Sequence, residues 1–83
     1  MRASASPMAK AVKHLEAGYW QAAHAIVQND ATALGCWAHG IVHLMEGDAA
    51  NARYWYRKAK RPFAEDPAAE IAALSAALKR RTG

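Results

Sequence analysis

With 83 residues and a formal charge of +4 at neutral pH, the chain has room for a single domain. Its only cysteine, Cys36, excludes an intrachain disulfide and a zinc site built from several thiolates, and it favours a reduced, cytoplasmic setting. No apolar run approaches the ~20 residues that span a bilayer, and the N-terminus lacks the apolar segment of a secretory signal. We therefore expect no membrane partner, a flexible tail at residues 1–6 and one α-helical domain at residues 7–83.

The first pair of predicted helices covers residues 7–17 and about 19–28. Pro7 suits a first helical position, because an N–H group would be unpaired there anyway. Gly18 is expected to end the first helix in the left-handed conformation. The apolar residues of this helix recur at the i, i+3, i+4, i+7 spacing of one helix face: Met8, Ala11, Val12 and Leu15.

The second pair of predicted helices covers about residues 33–46 and 49–60. Gly47 is expected to end the third helix, and Asp48 is a suitable N-cap for the fourth. The apolar face of the third helix has the same spacing as that of the first and consists of Trp37, Gly40, Ile41 and Leu44.

The fifth predicted helix starts after Arg61 and Pro62, which are expected to stop the fourth. Asp66 is its predicted N-cap, Pro67 its first residue, and it runs to about Arg80. No run of alternating β-branched residues predicts a strand, so the predicted fold class is all-α. The apolar face of this last helix is formed by Ile71, Leu74 and Leu78.

Residues 14–18 recur in similar form 29 residues later, at 43–47. A fixed period of this size is typical of stacked helical hairpins. The sequence therefore predicts two antiparallel hairpins that stack together, with a C-terminal helix across them. The same shift superposes three pairs of small or apolar residues: Ala11 on Gly40, Val12 on Ile41 and Leu15 on Leu44.

The run from 40 to 59 reads G-I-V-H-L-M-E-G-D-A-A-N-A-R-Y-W-Y-R-K-A. It resembles the tetratricopeptide and Sel1-like repeats, with His43 at a position where these repeats usually have Tyr. The resemblance implies helical hairpins whose small residues allow close approach while Tyr56 fills the gap, and a concave groove that receives a partner's segment. The matching residues are Gly40, Gly47, Asp48, Ala52, Tyr56 and Ala59.

A second resemblance covers residues 14–62. The run A-G-Y-W-Q-A-A-H is similar to a G-x-[YF]-[FW]-E-A-H-E signature found in a group of small, uncharacterised bacterial helical proteins. Ala23 and His24 match its A-H pair, whereas Ala22 and Ala25 replace its two Glu residues. The resemblance implies a helical fold and a bacterial origin, and it transfers no acidic or metal-binding role.

The groove implied by the first resemblance leads to the main functional prediction, a non-catalytic adaptor that binds another protein or helical segment. Its apolar contacts would be Trp37, Ile41 and Leu44, and its polar rim would be Arg53 and Arg57. An exposed apolar groove favours association, so something should cover it. Either the chain's own fifth helix covers it through Ile71, Leu74 and Leu78, or that helix is displaced by a partner or exchanged within a homodimer.

Charge is distributed unevenly and supports an alternative, the binding of nucleic acid or another polyanion. Residues 1–52 hold three basic and four acidic groups, whereas residues 53–83 hold eight basic and three acidic groups. Basic residues interleaved with aromatic ones can grip phosphates while a ring stacks on a base. The same residues would also suit a solvated helix face. The candidate polyanion contacts are Arg53, Arg57, Lys60 and Arg80.

Two further patterns carry possible chemistry. His39, His43 and Glu46 share one side of the third helix, and His24 could approach them, which would suit Zn²⁺, Ni²⁺ or Cu²⁺. The alternative is that these histidines are aromatic spacers between helices, hydrogen-bonded to carbonyl groups, and no cofactor is then expected. Cys36 beside a histidine is a conceivable nucleophile, but a buried cysteine usually serves as a small apolar residue, so no enzymatic activity is predicted.

Overall fold

The computed structural model describes residues 6–82, which form five α-helices and no strand. The all-α prediction is confirmed. The predicted tail lies outside the described residues except for Ser6, whose hydroxyl accepts a hydrogen bond from the Ala9 N–H and thereby caps the first helix. The helices are α1 (Pro7–Glu16), α2 (Trp20–Val27), α3 (Ala33–Glu46), α4 (Ala49–Lys58) and α5 (Pro67–Thr82).

Two helical hairpins, α1–α2 and α3–α4, pack side by side through α2 and α3. Helix α3 is central, because it contacts each of the other four helices. Every residue from 35 to 43 is buried, whereas α1 buries only the four residues of its predicted apolar face. Within residues 6–82, none of the helices combines the length and apolar character needed to cross a membrane.

The two hairpin turns use the same hydrogen bonds, displaced by 29 residues. Gly18 and Gly47 adopt φ angles of +86° and +89°, which only glycine adopts without strain. The Gly18 N–H donates to the Leu15 carbonyl and the next N–H to the His14 carbonyl. The Gly47 and Asp48 N–H groups repeat these bonds to the Leu44 and His43 carbonyls. This Schellman arrangement satisfies the last carbonyls of each helix, so the repeat seen in the sequence is a repeat of turn structure.

Helix α4 ends at Lys58, two residues before its predicted end. Lys60 adopts a left-handed φ of 60°, and the Arg61 N–H donates to the Tyr56 carbonyl as in the two glycine turns. The chain therefore leaves the helix before Pro62, and the stop is a third turn of the same kind with lysine where glycine is usual.

Close approach of α3 and α4 depends on Gly40. A Cβ atom placed on Gly40 would lie 2.5 Å from Cδ1 of Tyr56, and Ala52 beside them is fully buried. The predicted arrangement, in which small residues make room for Tyr56, is therefore present between these two helices.

Helix α5 lies across the apolar faces of α1 and α3. Ile71 and Leu74 are buried there and Leu78 is partly buried, as predicted for a helix that covers the groove of its own chain. The Asp66 carboxylate accepts a hydrogen bond from the Ala69 N–H and so caps the helix as expected.

Candidate functional site

The predicted groove is filled by the chain itself. Trp37 and Ile41 are 2% and 0% exposed, and Leu44 is partly buried. While α5 occupies its observed position, Trp37 and Ile41 therefore have almost no surface to offer a partner. Of the residues predicted to bind a partner, only Arg53 and Arg57 are exposed.

A polar contact fixes α5 in the groove. Oε1 of Glu70, on α5, accepts hydrogen bonds from Trp37 Nε1 at 3.0 Å and from the Tyr56 hydroxyl at 2.7 Å. Burial and the hydrogen bond to Glu70 raise the pKa of Tyr56, so its hydroxyl stays protonated and keeps donating. Three helices thus meet at one carboxylate.

The predicted polyanion contacts divide between two regions. Arg53, Arg57 and Lys60 lie on or just after α4 and are exposed. The Arg53 guanidinium lies 4.2 Å from the ring centre of Phe63. Arg80 belongs to the last turn of α5 and lines a different cavity. Of the four residues, Arg53 and Arg80 therefore line separate cavities.

The cavity that contains Arg80 also contains Arg61 and Arg81, which the sequence analysis did not select. Its volume is about 290 Å³, and we call it the arginine cavity. The Arg61 guanidinium lies 3.4 Å from the ring centre of Trp37, at the distance of a cation–π contact. Seven of the described residues line the cavity, and none of these is acidic: Ala33, Leu34, Trp37, Arg61, Ala77, Arg80 and Arg81.

Two features give positive charge to the wall of the arginine cavity. Three guanidinium groups, which stay charged at any physiological pH, share its wall. In addition, Ala33 and Leu34 are the first two residues of α3, and the N-terminal end of a helix carries partial positive charge. An anionic group of matching size would find both charge and directed donors there.

A second cluster, which we call the histidine cluster, consists of His24 on α2 and His39 and His43 on α3. One ring nitrogen of each residue lies within 4.8 Å of one ring nitrogen of each of the others. The ring centres are 4.8 Å apart for His24 and His39, 5.7 Å for His24 and His43, and 5.0 Å for His39 and His43. The structure therefore brings His24 to the two histidines, as the sequence analysis allowed.

His39 is the most buried member of the histidine cluster, at 4% exposure. Its ring stacks on the indole of Trp55 with the ring centres 3.8 Å apart. Its Nδ1 is buried and has no hydrogen-bond partner within residues 6–82, so the predicted bond to a carbonyl is not seen at this nitrogen. Burial, together with the nearby His24 and His43, lowers the pKa of His39 to about 4, so the ring is neutral at pH 7.

Glu46 has a different position from the one expected of a metal ligand beside His39. Its Oε1 lies 2.7 Å from Nδ1 of His43 and so determines how that ring is oriented. A second group of three donors is formed by His43, Glu46 and Asp48, of which the two carboxylates are partly or fully exposed.

Cys36 is buried, and its sulfur lies 3.9 Å from the Ala31 carbonyl oxygen.

Comparison of the chain with models of known protein families, with curated proteins and with solved structures gave no significant match. Functional inference therefore rests on the geometry of the arginine cavity and the histidine cluster.

Proposed function

We propose that this protein is a non-catalytic binding module that recognises an acidic segment of another protein at the arginine cavity. The single observation that supports this function is the presence of three guanidinium groups, with no acidic residue among the described lining residues, around one cavity of about 290 Å³. The buried Cys36 fits a reduced, bacterial cytoplasm as the setting of this proposal. A tetratricopeptide or Sel1-like origin of the hairpins is part of the same proposal.

An acidic polypeptide fits the cavity better than other anions of similar charge. Guanidinium groups bind carboxylates through two parallel hydrogen bonds, which gives direction as well as charge. The apolar part of the wall, formed by Leu34, Ala33 and Ala77, can contact apolar side chains that flank the carboxylates. A nucleic-acid strand usually needs an accessible ring for stacking, but Arg61 already stacks on Trp37.

The proposal moves the binding surface away from the covered groove. A partner that contacted Trp37 and Ile41 would have to displace α5 and break both hydrogen bonds to Glu70. The arginine cavity needs no such rearrangement, because its three arginines are exposed. The proposed binding surface is therefore still basic, like the rim predicted from the sequence, but it lies at the arginine cavity instead of the groove.

Two double variants with the same change in net charge test the proposal. We expect Arg80→Gln/Arg81→Gln to weaken binding of a fluorescent peptide rich in Glu and Leu by about tenfold, which corresponds to ~1.4 kcal/mol. Arg53→Gln/Arg57→Gln should change that affinity less than about twofold, because α4 lies outside the cavity. Circular dichroism of both variants controls for folding.

Two outcomes would contradict the proposal. If both double variants weaken peptide binding equally, the attraction comes from overall charge rather than from the cavity. If the wild-type protein does not bind the peptide at low ionic strength, the proposed function is wrong.

A second candidate function, binding of nucleic acid through Arg53, Arg57, Lys60 and Arg80, is favoured by one observation. Tyr54 is 45% exposed on the same helix as Arg53 and Arg57, so part of its ring is accessible to a base, and the Lys58 ammonium lies 5.6 Å from the ring centre. Single-stranded DNA is the probe for this candidate. Its binding should weaken more in Arg53→Gln/Arg57→Gln than in Arg80→Gln/Arg81→Gln, which is the reverse of the order expected for the peptide.

A further inference from the structure

The histidine cluster has no part in the function proposed above, yet three imidazole rings converge there between two helices. We propose that it is a binding site for one divalent transition-metal ion, held by one ring nitrogen each of His24, His39 and His43. Three imidazoles with no carboxylate in the set are ligands typical of Zn²⁺, Ni²⁺, Co²⁺ and Cu²⁺, and unsuited to Mg²⁺ or Ca²⁺.

The distances between the donors are compatible with such an ion. Metal–nitrogen bonds of ~2.0–2.1 Å in a tetrahedral site place neighbouring nitrogens about 3.3 Å apart. The three nitrogens already lie within 4.8 Å of one another, so small rotations of the side chains would bring them to that separation. His24 is partly exposed, which leaves a side from which the ion and a water ligand can enter.

Glu46 prepares His43 for this role. In the tautomer in which the Nδ1–H group of His43 donates a hydrogen bond to Oε1 of Glu46 at 2.7 Å, the lone pair of Nε2 is free to bind a metal. A carboxylate that orients a metal-binding histidine in this way is a recurrent feature of zinc sites. The negative charge of Glu46 also offsets part of the charge of a divalent ion.

His39 supplies the independent observation that points to a ligand. The residue is only 4% exposed, and its Nδ1 is buried and lacks a hydrogen-bond partner among the described residues. An unpaired buried polar atom destabilises the folded state and requires an explanation. A metal ion bound at this nitrogen would supply the missing partner, and the indole of Trp55 stacks on the same ring.

The experiment is titration of the metal-free, untagged protein with Zn²⁺ and with Ni²⁺ by calorimetry, and with Co²⁺ by visible absorption. We expect one equivalent to bind, Co²⁺ to give the intense absorption of a tetrahedral site, and Mg²⁺ to give no heat. His24→Gln should reduce Zn²⁺ affinity by at least ~100-fold, because loss of a direct ligand exceeds the ~10–100-fold effect of an outer partner. Glu46→Gln should reduce Zn²⁺ affinity by only ~10–100-fold, the effect of an outer partner.

Two controls locate the ion. His14→Gln removes the fourth histidine, whose ring contacts Tyr19 rather than the cluster, and should leave affinity unchanged. Asp48→Asn tests the alternative site formed by His43, Glu46 and Asp48, and should also leave affinity unchanged. His24 is only partly buried, so His24→Gln should retain the fold, as circular dichroism will show.

Three results would overturn the proposal. They are the absence of binding by the wild-type protein, a loss of affinity in His14→Gln equal to that in His24→Gln, and a loss in Asp48→Asn while His24→Gln still binds. The first would leave the histidines as spacers between the helices, and the third would place the ion at the exposed carboxylates.

Discussion

The two hairpins share their turns but differ in what surrounds them. The hydrogen bonds around Gly18 and Gly47 are equivalent, and both glycines have nearly the same φ angle. Helix α1, however, buries a single face, whereas α3 is buried at nine consecutive residues because other helices surround it. The repeat therefore determines the local backbone structure of both hairpins. The position of each hairpin among the other helices determines whether its residues form a candidate binding site.

The histidines show this difference most clearly. His14 and His43 are equivalent in the repeat, but only His43 lies in the histidine cluster and contacts Glu46. The repeat equivalent of the buried His39 is Lys10, which is exposed on α1. The histidine cluster therefore has no equivalent in the first hairpin.

The largest expected difference concerns an equivalent pair of leucines. Leu15 is 1% exposed, and Leu15→Ala should lower the free energy of unfolding by about 2–5 kcal/mol. Leu44 is partly buried beside an open cavity, so Leu44→Ala should cost less than about 2 kcal/mol. Urea denaturation of both variants measures the two values. Equal losses would mean that the hairpins are energetically equivalent, contrary to the comparison.

The second prediction uses the acid sensitivity of the α3–α4 hairpin. The pKa of His39 is about 4 when folded and 6.5 when unfolded, so the unfolded state binds more protons between these values. The free energy of unfolding should therefore fall as pH decreases from about 6.5 to 4, by about 3 kcal/mol in total. Denaturation of the protein with a chelator present, across this pH range, measures the loss. A His39→Gln variant with an unchanged slope would show that another group is responsible.

The third prediction concerns the space between helices. Gly40→Ala places a methyl group against the ring of Tyr56, which cannot move freely because its hydroxyl donates to Glu70. We expect a net loss of about 1–3 kcal/mol, although alanine is the better helix former by ~1 kcal/mol. A double variant with Tyr56→Phe should not recover the loss, whereas Tyr56→Val, the residue type found at the equivalent Val27, should recover part of it. Thermal unfolding distinguishes the two.

The smallest effect concerns the helix caps. The Asp48 carboxylate accepts a hydrogen bond from the Asn51 N–H, whereas Tyr19 occupies the equivalent position and offers no side-chain cap. Asp48→Ala should cost about 1 kcal/mol, and Tyr19→Asp should stabilise the protein by a similar amount. Chemical denaturation of each variant measures the change in its free energy of unfolding. If Tyr19→Asp is destabilising, the two turns are less alike than their backbone bonds indicate.

Much of the fold follows from local signals. The five helices, the caps at Asp48 and Asp66, the glycine turns and the covering of the groove by α5 could all be predicted, because each depends on neighbours in sequence or on one apolar face. The predicted ends of α4 and α5 were each wrong by two residues, since α4 ends at Lys58 and α5 at Thr82. Nothing in the sequence distinguishes Lys60 as the residue that takes the left-handed conformation in place of glycine.

The sites were harder to predict, because they depend on how distant segments meet. The arginine cavity joins Arg61, after α4, to the last turn of α5, and this depends on the angle at which α5 crosses α3. The basic end of α5 was the available signal: it makes Arg80 a candidate polyanion contact, but it does not indicate that Arg61 lies in the same cavity. His24 joins the histidine cluster because α2 packs on α3, which the repeat predicts only in outline.

The most direct test of the central claim, that α5 is a permanent part of the core and that binding therefore occurs outside the groove, is native-state hydrogen exchange measured by NMR. The account predicts that the amides of α5 and the Trp37 indole N–H, which Glu70 holds, exchange only through global unfolding. Their exchange free energies should then equal those of the α3 amides at residues 35–43. Exchange of α5 and of the indole at a free energy lower by ~2 kcal/mol or more, while α3 stays protected, would contradict the account. In that case α5 would open without global unfolding, and a partner could bind in the groove.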